Sequence, residues 1–489
     1  MSEPHVQSAP LAYLGALDVV EALESGRWSS RDLVAELIER VRALDGATTP
    51  IQLRAVAALS DDALEQASRL DDERRTGVSR GPLHGVPIVI KDNIEVTGLP
   101  AAAGSTSLAG RPALDAPLVT RLREAGLIVL GSTNLSEWAN MRSARSTSGW
   151  SARGGLVANP WALDRSAGGS SSGSGAALAA GYAPLAIGTE TDGSIVCPAS
   201  LNGVVGLKPT VGVVSQERVV PVSASQDSPG PMGRCVRDVE ALFSVLRGEP
   251  VPAATSAPLR FAFATKWSAD HPATDEMAHE LVARLRRDGH EVIERAVPAP
   301  SPDVERDELA VLVAELRDDL TSYLARRPGE GVKSLADVVA FERAHAETEL
   351  AFFGHDLFVM ALASGGRDTD QYRSARSNNV KWATEVCLTP GLEGVDVILA
   401  PAYGPAWKSD LIVGGHSGVV ASCATTPSAI AGWPIMSVPM GLVGGLPVGA
   451  ALVGRAHDEW TLLRAARAVE RAAAWDPSAR PTWLEPSRG

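Results

Sequence analysis

Ala167 to Ser200 reads A-G-G-S-S-S-G-S-G-A-A-L-A-A-G-Y-A-P-L-A-I-G-T-E-T-D-G-S-I-V-C-P-A-S. Glycine and serine crowd both ends of this stretch, with small apolar residues between. A solvated Gly/Ser linker would need structureless surroundings. Here Ala176 to Ile187 predicts a short small-residue helix and then a buried strand, so core elements pin the Gly/Ser turns on both sides. A compact turn at Thr189 to Ser194 would aim several backbone N–H groups at one point, which is how a chain builds an anion or oxyanion site.

Working outward, the informative partner lies upstream in H-G-V-P-I-V-I-K-D-N-I. Val86 to Ile90 is an apolar β-type run, and Lys91 closes it. A strand-end lysine often snorkels to water. One held inside the core is desolvated instead, which favours the neutral amine, and a neutral amine is a base.

Three motifs then coincide: K-D-N at 91–93, G-G-S-S-S-G at 168–173 and G-T-E-T-D-G-S-I at 188–195. On these residues the chain resembles the amidase signature family, whose hydrolases use a Ser/cis-Ser/Lys triad. The resemblance implies Ser194 as nucleophile, Ser170 as the proton relay following a cis peptide bond, and Lys91 as base. It implies an oxyanion site on the backbone N–H groups of Thr191, Asp192, Gly193 and Ser194. Asn134, Asp227 and Ser171 are expected to support that machinery, with Glu137 bracing it. The implied fold is α/β, a single amidase-signature domain with a mixed twisted β-sheet core flanked by helices on both faces.

S-E-W-A-N at 136–140, S-G-W-S-A-R-G-G at 148–155 and T-E-T-D-G-S-I-V-C-P-A at 189–199 are similar to the peptide-amidase branch of that family. The implied reaction is hydrolysis of the C-terminal carboxamide of peptide amides to peptide acid and ammonia, through an acyl-enzyme. A broad aliphatic or aryl amidase of the same family is the nearer alternative, and a component of a tRNA-dependent amidotransferase complex the more distant one. That last branch reads G-G-S-I-R, its arginine holding a substrate carboxylate. This chain has Asp192 in place of the first glycine and Val196 in place of the arginine.

Other chemistries fit less well. Gly169 to Gly173 formally matches G-x-S-x-G, but a nucleophile elbow follows a strand directly, and N-P-W-A-L-D-R-S-A precedes this one. A penicillin-recognising enzyme needs S-x-x-K, and none of the six lysines has a serine three positions upstream. If the base were a histidine instead, His84 and His416 would be the candidates.

Along the rest of the chain, Ser29 and Asp32 form a capping pattern ahead of Leu33, Val34, Leu37, Ile38, Val41 and Leu44, which recur at helical spacing. Residues 60–85 are mostly polar and end in a loop. Leu118 to Ala125 predicts a helix and Leu127 to Leu130 a strand. Trp138 and Trp150 are either pocket walls or core aromatics. Lys208, before Pro209, is expected to be structural. Pro250 to Pro258 is Pro/Ala-rich and marks a surface connection before a strand at 259–264. Residues 300–385 are helical and charged, either a cap over the pocket or a solvated flank. The text at 398–407 and 428–441 returns to strands that would complete the same sheet. The resemblance spans roughly residues 10–475, so 1–489 is taken as one domain with its catalytic core at about 80–240.

Composition agrees with an ordinary soluble globular protein. Of 489 residues 45% are apolar and 21% charged, and the net charge of −13 argues against nucleic acid or an anionic membrane as the main partner. The four cysteines, 197, 235, 387 and 423, form no C-x-x-C, so no disulfide framework or zinc site is expected. No metal or organic cofactor is expected, and no obligatory protein partner. The first ten residues lack a basic n-region and an apolar h-region, and no run reaches 18 apolar residues, so the cytoplasm is the expected compartment.

Overall fold

Eleven strands form one mixed sheet: β1 Val56–Leu59, β2 Pro87–Lys91, β3 Ile128–Thr133, β4 Leu185–Glu190, β5 Val205–Lys208, β6 Ser228–Gly233, β7 Arg260–Ala264, β8 Glu291–Arg295, β9 Val397–Pro401, β10 Ile435–Val443 and β11 Leu446–Val453. Their order is β1-β3-β2-β4-β6-β5-β10-β11-β9-β7-β8. The computed structural model describes residues 11–483 apart from 47, 254, 256, 416–418, 420 and 482. His416 and the first ten residues therefore lie outside the described residues.

Alternation along the strands explains why the sheet is covered on both faces. Phe261, Phe263, Val397, Leu399, Met436, Val438, Ala450 and Leu452 join one core with the helix Glu459–Ala473. Their neighbours Ala262, Ala264, Ile398, Ala400, Ile435, Ala451 and Val453 join another, with Cys387, Leu388 and Leu392. Successive side chains of a strand point to opposite faces, so each strand feeds two cores.

Five helices matter for the site: α1 Ser30–Leu44, α2 Ala63–Arg75, α3 Ser172–Ala179, α4 Val196–Asn202 and α5 Pro302–Arg326. The α1 cap is as expected, Ser29 Oγ accepting from the Asp32 N–H at 3.0 Å. Helix α2 lies in the polar stretch 60–85, where no helix is predicted. Its apolar face is Ala63, Ala67 and Leu70 with a partly buried Leu64, too sparse to stand out by periodicity. The helix after the first Gly/Ser turn starts at Ser172, four residues earlier than the composition predicts. Gly173 makes that possible: a Cβ there would lie 2.3 Å from the Ala55 carbonyl oxygen and 2.4 Å from that of Asn134.

Strands β2 and β4 run parallel and adjacent, with Ile88 opposite Leu185 and Ile90 opposite Ile187. Both are buried along their whole length, as interior parallel strands usually are. They consequently end at the same edge of the sheet, bringing Lys91 and the turn after Glu190 together. The carboxyl edge of a parallel pair is where open α/β sheets place ligand sites. No described helix is long and apolar enough to cross a membrane.

Candidate active site

Lys91 is fully buried, and its Nζ lies 2.7 Å from Ser170 Oγ, 2.8 Å from Thr189 Oγ1 and 3.2 Å from the Thr189 carbonyl oxygen. Burial drives its pKa down from 10.5 to about 7, against the opposing fields of Asp227 and Glu190. Near neutral pH a large share of Lys91 is therefore an amine with a lone pair beside a hydroxyl. The Gly169–Ser170 peptide bond is cis.

Strand β4 runs to Glu190, so the turn expected at 189–194 occupies 191–194. Glu190 Oε2 accepts from the N–H groups of Ile195 and Val196 at 2.6 and 2.9 Å. Among the described residues, the N–H groups of Thr191, Asp192, Gly193 and Ser194 have no acceptor within the chain. Four consecutive uncommitted donors are what a developing oxyanion needs. Gly193 has φ +77, and a Cβ there would come within 2.7 Å of Tyr403 Oη, so this position requires glycine on both counts.

Ser194 is 6% exposed and opens onto a cavity of about 310 Å³. Asn140, Met141, Leu312, Tyr403 and Trp407 contribute to its walls. Ser170 and Lys91 lie beneath this surface. The two serine loops are tied by the Ser171 N–H, which donates to the Ser194 carbonyl at 3.1 Å. No hydrogen bond joins the Ser170 and Ser194 hydroxyls among the described residues.

Ser171, Asp227, Asn134 and Glu137 are all buried and hydrogen-bonded. Ser171 Oγ donates to the Thr189 carbonyl at 3.0 Å. Asp227 accepts from the Thr191 hydroxyl at 2.6 Å and from the N–H groups of Val222 and Ser223, which fixes the 191–194 turn from behind. Asn134 accepts from Ser151 Oγ at 2.8 Å and donates to the Arg54 and Gly155 carbonyls. Glu137 forms a buried ion pair with Arg142, just before three successive non-glycine residues of positive φ, Trp138, Ala139 and Asn140.

Trp138 and Trp150 are core aromatics: the first packs edge-on against Phe358, the second against Phe352 and Phe353. Lys208 donates to the Trp433 carbonyl at 2.7 Å, a structural role. His84 is buried with Nε2 3.0 Å from the Leu70 carbonyl, away from the Ser194 cavity. Ala162–Ser166 is a short strand ahead of Ser170, which the text N-P-W-A-L-D-R-S-A does not reveal. It pairs with Ala158–Asn159 in a two-stranded sheet and meets Lys408 through a single bridge at Arg165, both outside the main sheet, so it is not the sheet strand of a nucleophile elbow.

Thr189, Tyr403, Trp407 and Leu312 are not among the residues expected at the site. Thr189 stands inside a quoted motif. Tyr403 and Trp407 lie in Y-G-P-A-W at 403–407, whose aromatics beside tight-turn residues are the one available signal.

The family model described as Amidase matches residues 32–463. The chain belongs to the amidase family. This amidase is similar in structure to the native peptide amidase from Stenotrophomonas maltophilia, with a TM-score of 0.89, 38% identity and coverage of 97% of this chain and 100% of that one. It is also similar to an amidase family protein from Bacillus anthracis, with a TM-score of 0.82, 27% identity and coverage of 95% and 92%. In sequence it is 33% identical over 475 residues to a glutamyl-tRNA(Gln) amidotransferase subunit of Symbiobacterium thermophilum, covering 91% of this chain and 94% of that protein.

Proposed function

We propose that this amidase hydrolyses the C-terminal carboxamide of peptide amides, with Ser194 as nucleophile, Ser170 as relay and Lys91 as base. Ser194 Oγ adds to the carboxamide carbon, its proton moving to Ser170 as the Ser170 proton moves to Lys91 Nζ. The carbonyl oxygen gains the negative charge, which the N–H groups of residues 191–194 receive. The lysine proton then returns through Ser170 to the nitrogen, the C–N bond breaks and ammonia leaves. Water cleaves the acyl-enzyme by the same proton path, releasing the peptide acid.

The observation that carries this reading is a fully buried lysine, its pKa lowered to about 7, within 2.7 Å of the Ser170 hydroxyl. Similarity to a peptide amidase over nearly the whole chain supports the substrate class. The cap role of α5 belongs to the same proposal: Leu312 reaches the cavity wall. An amidotransferase role is disfavoured by Val196, which is buried and supplies no cation for a substrate carboxylate.

The deciding experiment measures ammonia release from blocked dipeptide amides, free glutamine, free asparagine and fatty amides, and aryl amine release from anilides. Blocked dipeptide amides should exceed free glutamine in kcat/KM by at least about tenfold, roughly 1.4 kcal/mol of transition-state discrimination. Equal rates on glutamine, or a requirement for tRNA and partner proteins, would reject the substrate assignment and leave the triad in place.

A further inference from the structure

Asn93, the third residue of K-D-N, takes no part in the steps above, yet it stands one hydrogen bond from the base. It is 4% exposed, and its carbonyl accepts from the Val220 N–H at 2.8 Å. Its Nδ2 donates to Thr189 Oγ1 at 3.0 Å, and that oxygen is 2.8 Å from Lys91 Nζ. Its Oδ1 is buried and has no protein partner among the described residues. Asn93 also lines a small cavity of about 30 Å³, together with Thr189, Thr191, Gln216 and Asp227.

That volume admits one water, and the lining is polar enough to hold it. The Thr191 hydroxyl donates to Asp227 and keeps a lone pair for another donor. A water here would give one hydrogen to Asn93 Oδ1 and one to Thr191 Oγ1. The small cavity shares Ala139 and Thr191 with the nucleophile cavity, and Gln216, Val219 and Pro221 with a surface cleft of about 470 Å³. The small cavity thus lies between the Ser194 cavity and the surface cleft.

Hydrogen counting shows why this matters to the base. A neutral Lys91 has two N–H bonds and one lone pair for three neighbours. The Thr189 carbonyl only accepts, so it takes one N–H. The second N–H and the lone pair are divided between the hydroxyls of Ser170 and Thr189. Only when Thr189 Oγ1 accepts the second N–H does the lone pair face Ser170. Among the described residues, Asn93 is the sole other partner of Thr189 Oγ1. With Nδ2 toward it, the Thr189 hydrogen is free to occupy the Lys91 lone pair. With the amide turned so that Oδ1 faces it, that hydrogen is drawn away.

We propose that Asn93 is a positioning residue that acts through Thr189, its amide rotating against the cavity water to turn the Lys91 lone pair from Thr189 to Ser170. The inference rests on Lys91 being the base. It is tested with Asn93→Asp, which accepts on both sides, and Asn93→Leu, which does neither. Lys91→Ala serves as the control, and each variant is followed over a pH profile with a peptide amide.

Asn93→Leu should lower kcat by about tenfold or more with KM within about twofold. Asn93→Asp should keep its alkaline plateau within about threefold of wild type. Its acid limb should move up by about one pH unit, because a new carboxylate within about 6 Å favours protonated Lys91. Asp227 and Glu190, the charged groups whose fields already reach Lys91, stay unchanged in both variants. If Asn93→Leu does not fold, the Asp variant alone decides. Two variants that lose activity together with an unmoved acid limb, or an Asp variant that matches wild type throughout, would overturn the inference. If Lys91→Ala retains turnover, the assignment of the base fails instead.

Discussion

This amidase buries two lysines completely, in surroundings of different chemistry. Lys91 ends β2 and Lys208 ends β5, both with no exposed surface. Burial lowers both, Lys91 to about 7 and Lys208 to about 8. The difference lies in their partners. Lys208 meets backbone carbonyls, of Trp433 at 2.7 Å and Pro209 at 3.4 Å, which accept hydrogen bonds and have no proton to give. Lys91 meets two hydroxyls, one of them joined to the nucleophile loop. A lowered pKa makes a lysine available as a base, and a proton-bearing neighbour makes it one.

The largest expected effect separates the two in rate. Lys91→Ala, Ser170→Ala and Ser194→Ala should each lower kcat by roughly 10³- to 10⁶-fold, with the fold retained by circular dichroism. Near wild-type turnover in the Ser194 variant would break the comparison outright. Next comes pH: kcat/KM should fall about tenfold per unit below pH 7, since protonated Lys91 cannot take a proton from Ser170. An acid limb near 4 would assign the base to a carboxylate.

Lys208→Met should change kcat by less than about threefold. Both lysines should nevertheless share a thermodynamic signature. Each has a folded pKa below its unfolded value of 10.5, so between the two values the unfolded chain binds the extra proton and stability rises with pH. That contribution spans about pH 7 to 10.5 for Lys91 and about 8 to 10.5 for Lys208, and is flat below. Urea denaturation from pH 7 to 10 should show a shallower rise in Lys91→Met and in Lys208→Met than in wild type. A slope lost in only one variant would show that the two burials are not equivalent.

The smallest effect concerns Cys197, which lines the same cavity as Ser194, three residues after it. Burial pushes its thiol up to about 12, leaving almost no thiolate. Cys197→Ala should hold kcat within about twofold, and iodoacetamide should inactivate wild type no faster than the variant. Faster loss in wild type would show that the thiol is reached.

The proposed base, relay and nucleophile are legible in the chain because each sits in a short motif whose residue types are chemically constrained. The sheet is legible where strands are uniformly apolar, as in β2. What sequence does not reveal is contact across long separations. Tyr403 meets Gly193 from more than two hundred residues away, and nothing local to either predicts it. Helix α2 is obscured by its polar surface, and the hairpin at Ala158–Ser166 by residues of low strand preference such as Asp164 and Arg165. Thr189 is hidden differently: it lies within a motif, but its role depends on the side of β4 it occupies.

Helix α5 runs 25 residues past the site and touches several of its loops in turn. Glu308 accepts from Gln226 and Glu315 from Ser223 and Ser225 beside the Asp227 loop, Leu312 reaches the cavity, and Tyr323 donates to Glu95 just beyond K-D-N. The triad itself lies on other segments. One continuous helix thus spans the loop that holds Asp227, the wall of the Ser194 cavity and the segment after K-D-N, so a change in its length or register would displace all three together while Lys91, Ser170 and Ser194 stay on segments of their own.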